Sequence, residues 1–114
     1  MRKSKKGKYN NIIVKTKDGK FDSKKEHSIW LKLKRQQEMG LIKNLQRQVP
    51  FVLIEKSKWG RERKYIADFV YTDCNTNEII VADCKSDATE SDALFSLKAR
   101  LFAEIYGQEI KIIK

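Results

Sequence analysis

Two cysteines, one histidine and one proline are all that this chain of 114 residues contains of those types, and no apolar run approaches the length of a membrane span. Cys74 and Cys84 are too few for a disulfide framework, so the chain reads as a protein of a reducing compartment, the cytoplasm. Cys84 lies inside an apolar strand-like run and reads as a small buried hydrophobe. The basic N-terminus is not followed by the apolar core that a secretory signal needs. The lone histidine, His27, lies off the apolar stripe of its helix; it either touches substrate beside Glu26 or is an incidental surface position, and its place on the helix favours the second. The lone proline, Pro50, removes one ladder donor from a strand, which puts that strand at an edge or bulges it. No internal repeat or linker is visible.

What is abundant is charge. The composition is 40% hydrophobic and 35% charged, with 25 Lys and Arg against 15 Asp and Glu, a net +10. A chain of this length forms one domain and buries about two-thirds of its unfolded surface. Positive charge in this excess suits a polyanionic partner, most simply nucleic acid, although a merely basic soluble surface has the same composition. Residues 1–10 read as a basic, flexible arm: Met1–Lys8 carries five basic residues and no acid. Lys5 and Lys6 there suit phosphate contact, or the arm only solubilises. Residues 11–114 read as a single domain.

In chain order, a weak strand over Asn11–Lys17, around Ile12-Ile13-Val14, meets a tight-turn signal at Asp18-Gly19 and returns to Phe21. A helix starts at Asp22 or Ser23, where Ser23-x-x-Glu26 matches a capping box, and stops at Gly40. Ile29, Trp30, Leu33, Gln37 and Leu41 form one stripe, and Glu26 falls within it. A strand is expected over Leu45–Glu55, with Leu45, Val49, Phe51 and Leu53 on one face. Then Lys56–Lys64 places five basic residues around Trp59. That loop suits backbone contact through Lys58, Arg61 and Arg63; Trp59 either stacks on a base or folds back as a lid. Strands over Lys64–Thr72 and Glu78–Lys85 flank a polar hairpin turn. Alternation puts Ile66, Asp68 and Val70 on one face, and Tyr65, Ala67, Phe69 and Tyr71 on the other. On the next strand Ile79, Val81, Asp83 and Lys85 share a face. A second helix from Thr89 or Ser91 to Tyr106 carries Leu94, Leu97, Leu101, Phe102 and Ile105 as its stripe, with Lys98 inside it. A last strand covers Gln108–Ile113. The expected fold is α/β, in the order α-β-β-β-α-β, with a mixed central sheet flanked by helices.

Glu26, Asp68, Asp83 and Lys85, with Lys98 as a fifth, thus sit on faces that should be apolar. A charge there is costly unless it is paired or binds a metal. Three acids and a lysine make a kit for Mg²⁺-assisted phosphodiester hydrolysis. Asp68 and Asp83 would hold the ion with the backbone carbonyl of Cys84, and Glu26 would add a ligand or help hold a second ion. Lys85, on the face of Asp83, would orient or help deprotonate the attacking water and stabilise the anionic transition state. The competing reading is a set of buried ion pairs, Asp83–Lys98 and Asp68–Lys85, which rarely add net stability.

Glu26, Asp68 and Asp83-Cys84-Lys85 on this element order resemble the PD-(D/E)XK nuclease superfamily, with its restriction-endonuclease-like core. More narrowly, Lys8–Asn11, Phe21–Glu26, Leu45–Val49, Tyr65–Tyr71 and Lys98–Phe102 look like a family of small phage-encoded proteins, related to Holliday junction resolvases. The resemblance covers nearly the whole chain after the arm. It implies that Glu26, Asp68, Asp83 and Lys85 are catalytic or metal-binding, that Gln48 and Lys98 line the site, that Mg²⁺ is the cofactor with Mn²⁺ able to substitute, and that the protein is a homodimer acting on branched DNA in the host cytoplasm. Ala67 replaces the superfamily's proline; Ala82 and Ser86 stand where the narrower family tends to have Glu and Gly. The expectation is a metal-dependent endonuclease whose phosphate contacts include Lys32, Lys34 and Arg35 of the first helix. The alternative is a non-catalytic nucleic-acid-binding protein on the same fold.

Overall fold

The computed structural model describes residues 13–85 and 92–114. The basic arm with Lys5 and Lys6, the expected start of the second helix and Ser86 lie outside the described residues. Strands β1 (Val14–Thr16) and β2 (Gly19–Phe21) form the small hairpin, with Val14 opposite Phe21. Helix α1 (Lys24–Glu38) starts where the Ser23 hydroxyl accepts the Glu26 amide, at 3.1 Å. Such a cap satisfies one of the donors every helix start leaves open. The Trp30 indole and Lys34 both donate to Asp18, at 3.0 and 2.9 Å, and tie the hairpin to α1.

Strands β3 (Ile42–Ile54), β4 (Arg63–Asp73), β5 (Ile79–Cys84) and β6 (Lys111–Ile113) then make one sheet in the order β3-β4-β5-β6. β3–β4 and β4–β5 are antiparallel and β5–β6 parallel, so the sheet is mixed. Pro50 lies on β3, an edge strand, where its missing donor costs least. Helix α2 (Ala93–Tyr106) is capped by the Asp92 side chain and ends at Gly107, whose φ of 71° suits glycine. The protein is therefore α/β, with a four-stranded mixed sheet and helices on both faces. Phe69 and Ala82 face each other and pack with Leu33 against α1, while their neighbours Val70 and Val81 pack with Phe102 against α2.

The sequence reading needs correction in five places. β3 begins three residues earlier than the Leu45 expected, and β6 starts at Lys111 rather than Gln108. Gln37 and Leu41 are exposed rather than part of the α1 stripe. On α2, Leu94, Leu97 and Ile105 of the expected stripe are also exposed; Leu101 and Phe102 turn inward as expected, joined by Phe95, and Phe102 stacks with Tyr106 and meets Phe51 edge-on. Aromatic rings filled the space against β3 and β4, and so set the rotation of the helix. Finally, Tyr65, Ala67, Phe69 and Tyr71 do not serve one core. Tyr65 and Ala67 pack on the α2 side, Phe69 and Tyr71 on the α1 side. β3 changes sides at the same level, with Leu45 on the α1 side and Phe51 and Leu53 on the α2 side. At the crossing, Gln48 has φ 56°, and its neighbours Arg47 and Val49 pair with Phe69 and Ala67, which brackets Asp68. One left-handed residue breaks the two-residue alternation, and both strands swap faces around it.

Candidate active site

That break is where the charged residues meet. The β4–β5 ladder ends at Phe69 and Ala82. Beyond it, carboxylates take over the backbone donors: the Asp68 amide donates to Asp83 Oδ1 at 3.2 Å, and the Cys84 amide donates to Asp68 Oδ2 at 2.9 Å. The two acids thereby lock each other across the strands. Gln48, turned by its left-handed backbone, donates its side-chain amide to Glu26 Oε2 at 3.1 Å and reaches Asp68 Oδ1 at 3.4 Å. Glu26 is only 4% exposed and Asp83 2%, so the first turn of α1 delivers its acid into the sheet. Lys85, two residues past β5's Asp83, places Nζ 3.2 Å from Asp83 Oδ2 and 4.5 Å from the Phe95 ring centroid. The ion pair that forms is Asp83–Lys85, not the Asp68–Lys85 or Asp83–Lys98 pairs that the sequence also allowed.

The electrostatics follow from this crowding. Burial pushes the Glu26 carboxyl up to about 7, with the Asp68 and Asp22 charges adding and Arg47 opposing. Burial likewise pushes Asp68 up to about 7; Asp83 adds to it, while the Cys84 amide and Lys85 oppose it. The site holds more negative charge than its partners neutralise. Burial and the nearby carboxylates, Asp83 foremost, push the Tyr65 phenol well above its usual range. Its hydroxyl is buried and makes no hydrogen bond of full geometry among the described residues.

Placement of the remaining expected residues is mixed. Gln48, expected to line the site, lies between the Glu26 and Asp68 carboxylates. Lys98 is half-buried on α2, and the basic groups that act on Glu26 and Asp68 are Arg47 and Lys85 instead. Cys84 supplies its amide to Asp68, and burial pushes its thiol up to about 11. Ala82 is fully buried on the α1 side, away from Asp83. His27 packs its ring 4.9 Å from that of Phe21 rather than standing free. Lys32 and Arg35 are exposed, whereas Lys34 is engaged by Asp18. Lys58, Trp59 and Arg61 in the β3–β4 connection and Arg63 at the start of β4 are all exposed, and Trp59 at 85% is no lid.

Three participants escaped the sequence reading. Arg47 places Nη2 3.7 Å from Glu26, donates to the Lys20 carbonyl at 2.7 Å and stacks 3.8 Å over Phe21. Its signal was an arginine sharing a strand face with Leu45 and Val49. Lys25 donates to the Lys85 carbonyl at 3.3 Å and braces the end of β5. Tyr65 was hidden because regular alternation aims it away from Asp68.

Among the described residues, no three His, Cys, Asp or Glu side chains form a ready-made metal cage. A hard ion such as Mg²⁺ needs less: it keeps several waters and takes one or two carboxylates plus substrate phosphates. Each carboxylate has about four acceptor positions, so the hydrogen bonds on Asp68 and Asp83 leave room for an ion. Unneutralised carboxylates raised toward neutrality also favour a divalent cation. The donor set fits such an ion.

No curated protein and no solved structure matches the chain. No described helix is long and apolar enough to cross a membrane. One family model, described as Protein of unknown function (DUF1064), matches residues 6–114, nearly the whole sequence. The chain belongs to the DUF1064 family.

Proposed function

We propose that this protein is a Mg²⁺-dependent DNA endonuclease of the PD-(D/E)XK type, on a restriction-endonuclease-like core, selective for branched DNA such as a four-way junction. The observation that carries this reading is the meeting of Asp68 and Asp83 across the end of the β4–β5 ladder, with Glu26 turned in beside them and Lys85 held on Asp83. Asp68, Asp83 and Glu26 would hold the ion, with Mn²⁺ able to substitute. Bound there, the ion would lower the pKa of a coordinated water and neutralise charge on the phosphate.

The chain's own side chains do the rest. Asp83 fixes the Lys85 ammonium at the rim of the site, where it meets charge developing on the phosphate and orients the attacking water. Gln48 holds Glu26 and Asp68 in mutual register. Arg47 keeps Glu26 ionisable in a buried place. Lys32, Arg35 and the β3–β4 connection contact phosphates away from the reacting bond. Symmetric cutting of two strands calls for two sites, which a homodimer supplies by analogy with resolvases.

The test is a cleavage panel of four-way junction, nicked and linear DNA with Mg²⁺ or Mn²⁺. Wild type should cut the junction in preference to linear duplex, and Lys85→Ala should lose the activity while still binding. Wild type that binds DNA yet cuts none of these substrates would leave a non-catalytic binding protein on the same fold.

A further inference from the structure

We propose that Trp59 is a stacking platform for an unpaired base, and that this platform makes the protein prefer DNA with exposed bases over continuous duplex. The inference rests on the DNA-directed reading above and adds the device that would select substrate shape.

Tryptophan is among the more buried residue types on average. Trp30 follows that habit: it is half-buried, stacks near Phe69 and donates to Asp18. Trp59 is 85% exposed. It is not loosely placed, however. Ser57 and Gly60 exchange backbone hydrogen bonds, the Ser57 amide donating to the Gly60 carbonyl at 3.0 Å and the Gly60 amide returning at 3.2 Å. The Ser57 hydroxyl accepts the Trp59 amide at 3.1 Å. Lys58 and Trp59 are thus the apex of a closed turn, and Lys58 Nζ lies 4.9 Å from the indole centroid. A rigid apex loses little entropy when it binds.

The surroundings name the partner. Lys56, Lys58, Arg61, Arg63 and Lys64 flank Trp59 in sequence and are exposed; Glu62 among them is paired with Lys64 at 3.7 Å. An apolar protein partner would not be met by those charges, whereas phosphates on either side of a base would. Indole stacking on bases is sequence-tolerant, because every base has a π-face. In a continuous duplex those faces are covered by neighbouring bases. Branch points, nicks, ends and single strands offer them.

Distance separates this role from the chemistry. From Arg63 to Asp68, β4 climbs about 17 Å, roughly five base steps. Trp59 therefore acts on binding and not on the reacting phosphate.

The experiment measures binding to a single strand, a four-way junction and a relaxed covalently closed circular duplex without divalent ions, so that no cleavage is needed. Trp59→Ala should weaken single-strand and junction binding by about 5- to 100-fold, and circular-duplex binding by less than about threefold. Trp59→Phe should retain most of the affinity, since a smaller ring still stacks. Equal losses on all three DNAs, or none, would overturn the proposal. So would loss of binding to anionic phospholipid vesicles with DNA affinity unchanged. Failure of cleavage alone would count against the nuclease reading and leave the binding result standing.

Discussion

Glu26 sets the energetic problem of the site. Its carboxyl is buried, faces Asp68 and is raised to about 7. A folded-state pKa above the unfolded one means that the folded protein binds more protons between the two values. The contribution to stability is therefore complete below about 4.5 and is lost as pH rises through about 7. Asp68, also raised to about 7, acts in the same direction. Glu26→Gln should accordingly unfold at higher urea than wild type at pH 8, by on the order of 1–3 kcal/mol, and lose that advantage near pH 4.5. Urea titrations at both pH values check this. A mutation that stabilises the protein while removing function is the signature of a residue kept for chemistry. At this scale the sequence was informative for Asp83 and Lys85, because one spacer on a regular strand puts both on the same side. It was uninformative for Tyr65, whose approach to Asp83 depends on an irregularity that residue types do not announce.

Among the elements, β3 and β4 decide where the site lies. Their antiparallel ladder is long, yet both strands change faces at Gln48 and Asp68. A left-handed conformation at a non-glycine residue costs on the order of 1–3 kcal/mol and is concentrated at functional sites. Gln48→Val, β-branched and without an amide, should destabilise the protein by about 2 kcal/mol. Gln48→Gly should cost less, because glycine accepts φ 56° freely. Equilibrium denaturation of the pair separates backbone strain from the lost hydrogen bonds. The order of elements and the hairpins were legible from turn signals, capping residues and apolar runs. The face assignments of Leu45 against Phe51, and of Phe69 against Ala67, were not, since alternation assumes an unbroken pleat. On α2, Leu94, Leu97 and Ile105 misled because apolar residues occupy a broad arc, whereas Leu101 and Phe102 pack inward as expected, joined by Phe95.

For the whole molecule, charge and site point the same way. The sequence carries a net charge of +10, and the fold buries the acids Glu26 and Asp83. On the proposed function, such a charge would attract a polyanion, and the acids would hold a cation where the phosphate meets them. DNA binding should weaken steeply with salt, and the double variant Lys58→Ala with Arg61→Ala should lower the salt slope by about 2, the share of two phosphate contacts. Affinity measured across a salt series checks it. The most direct test of the central claim is single-turnover cleavage of a four-way junction with Mg²⁺ by wild type and by Asp83→Asn, which keeps the shape of the buried side chain without its charge. The account predicts cleavage by wild type and a loss of at least about 100-fold in the variant. Cleavage by Asp83→Asn at the wild-type rate would contradict it.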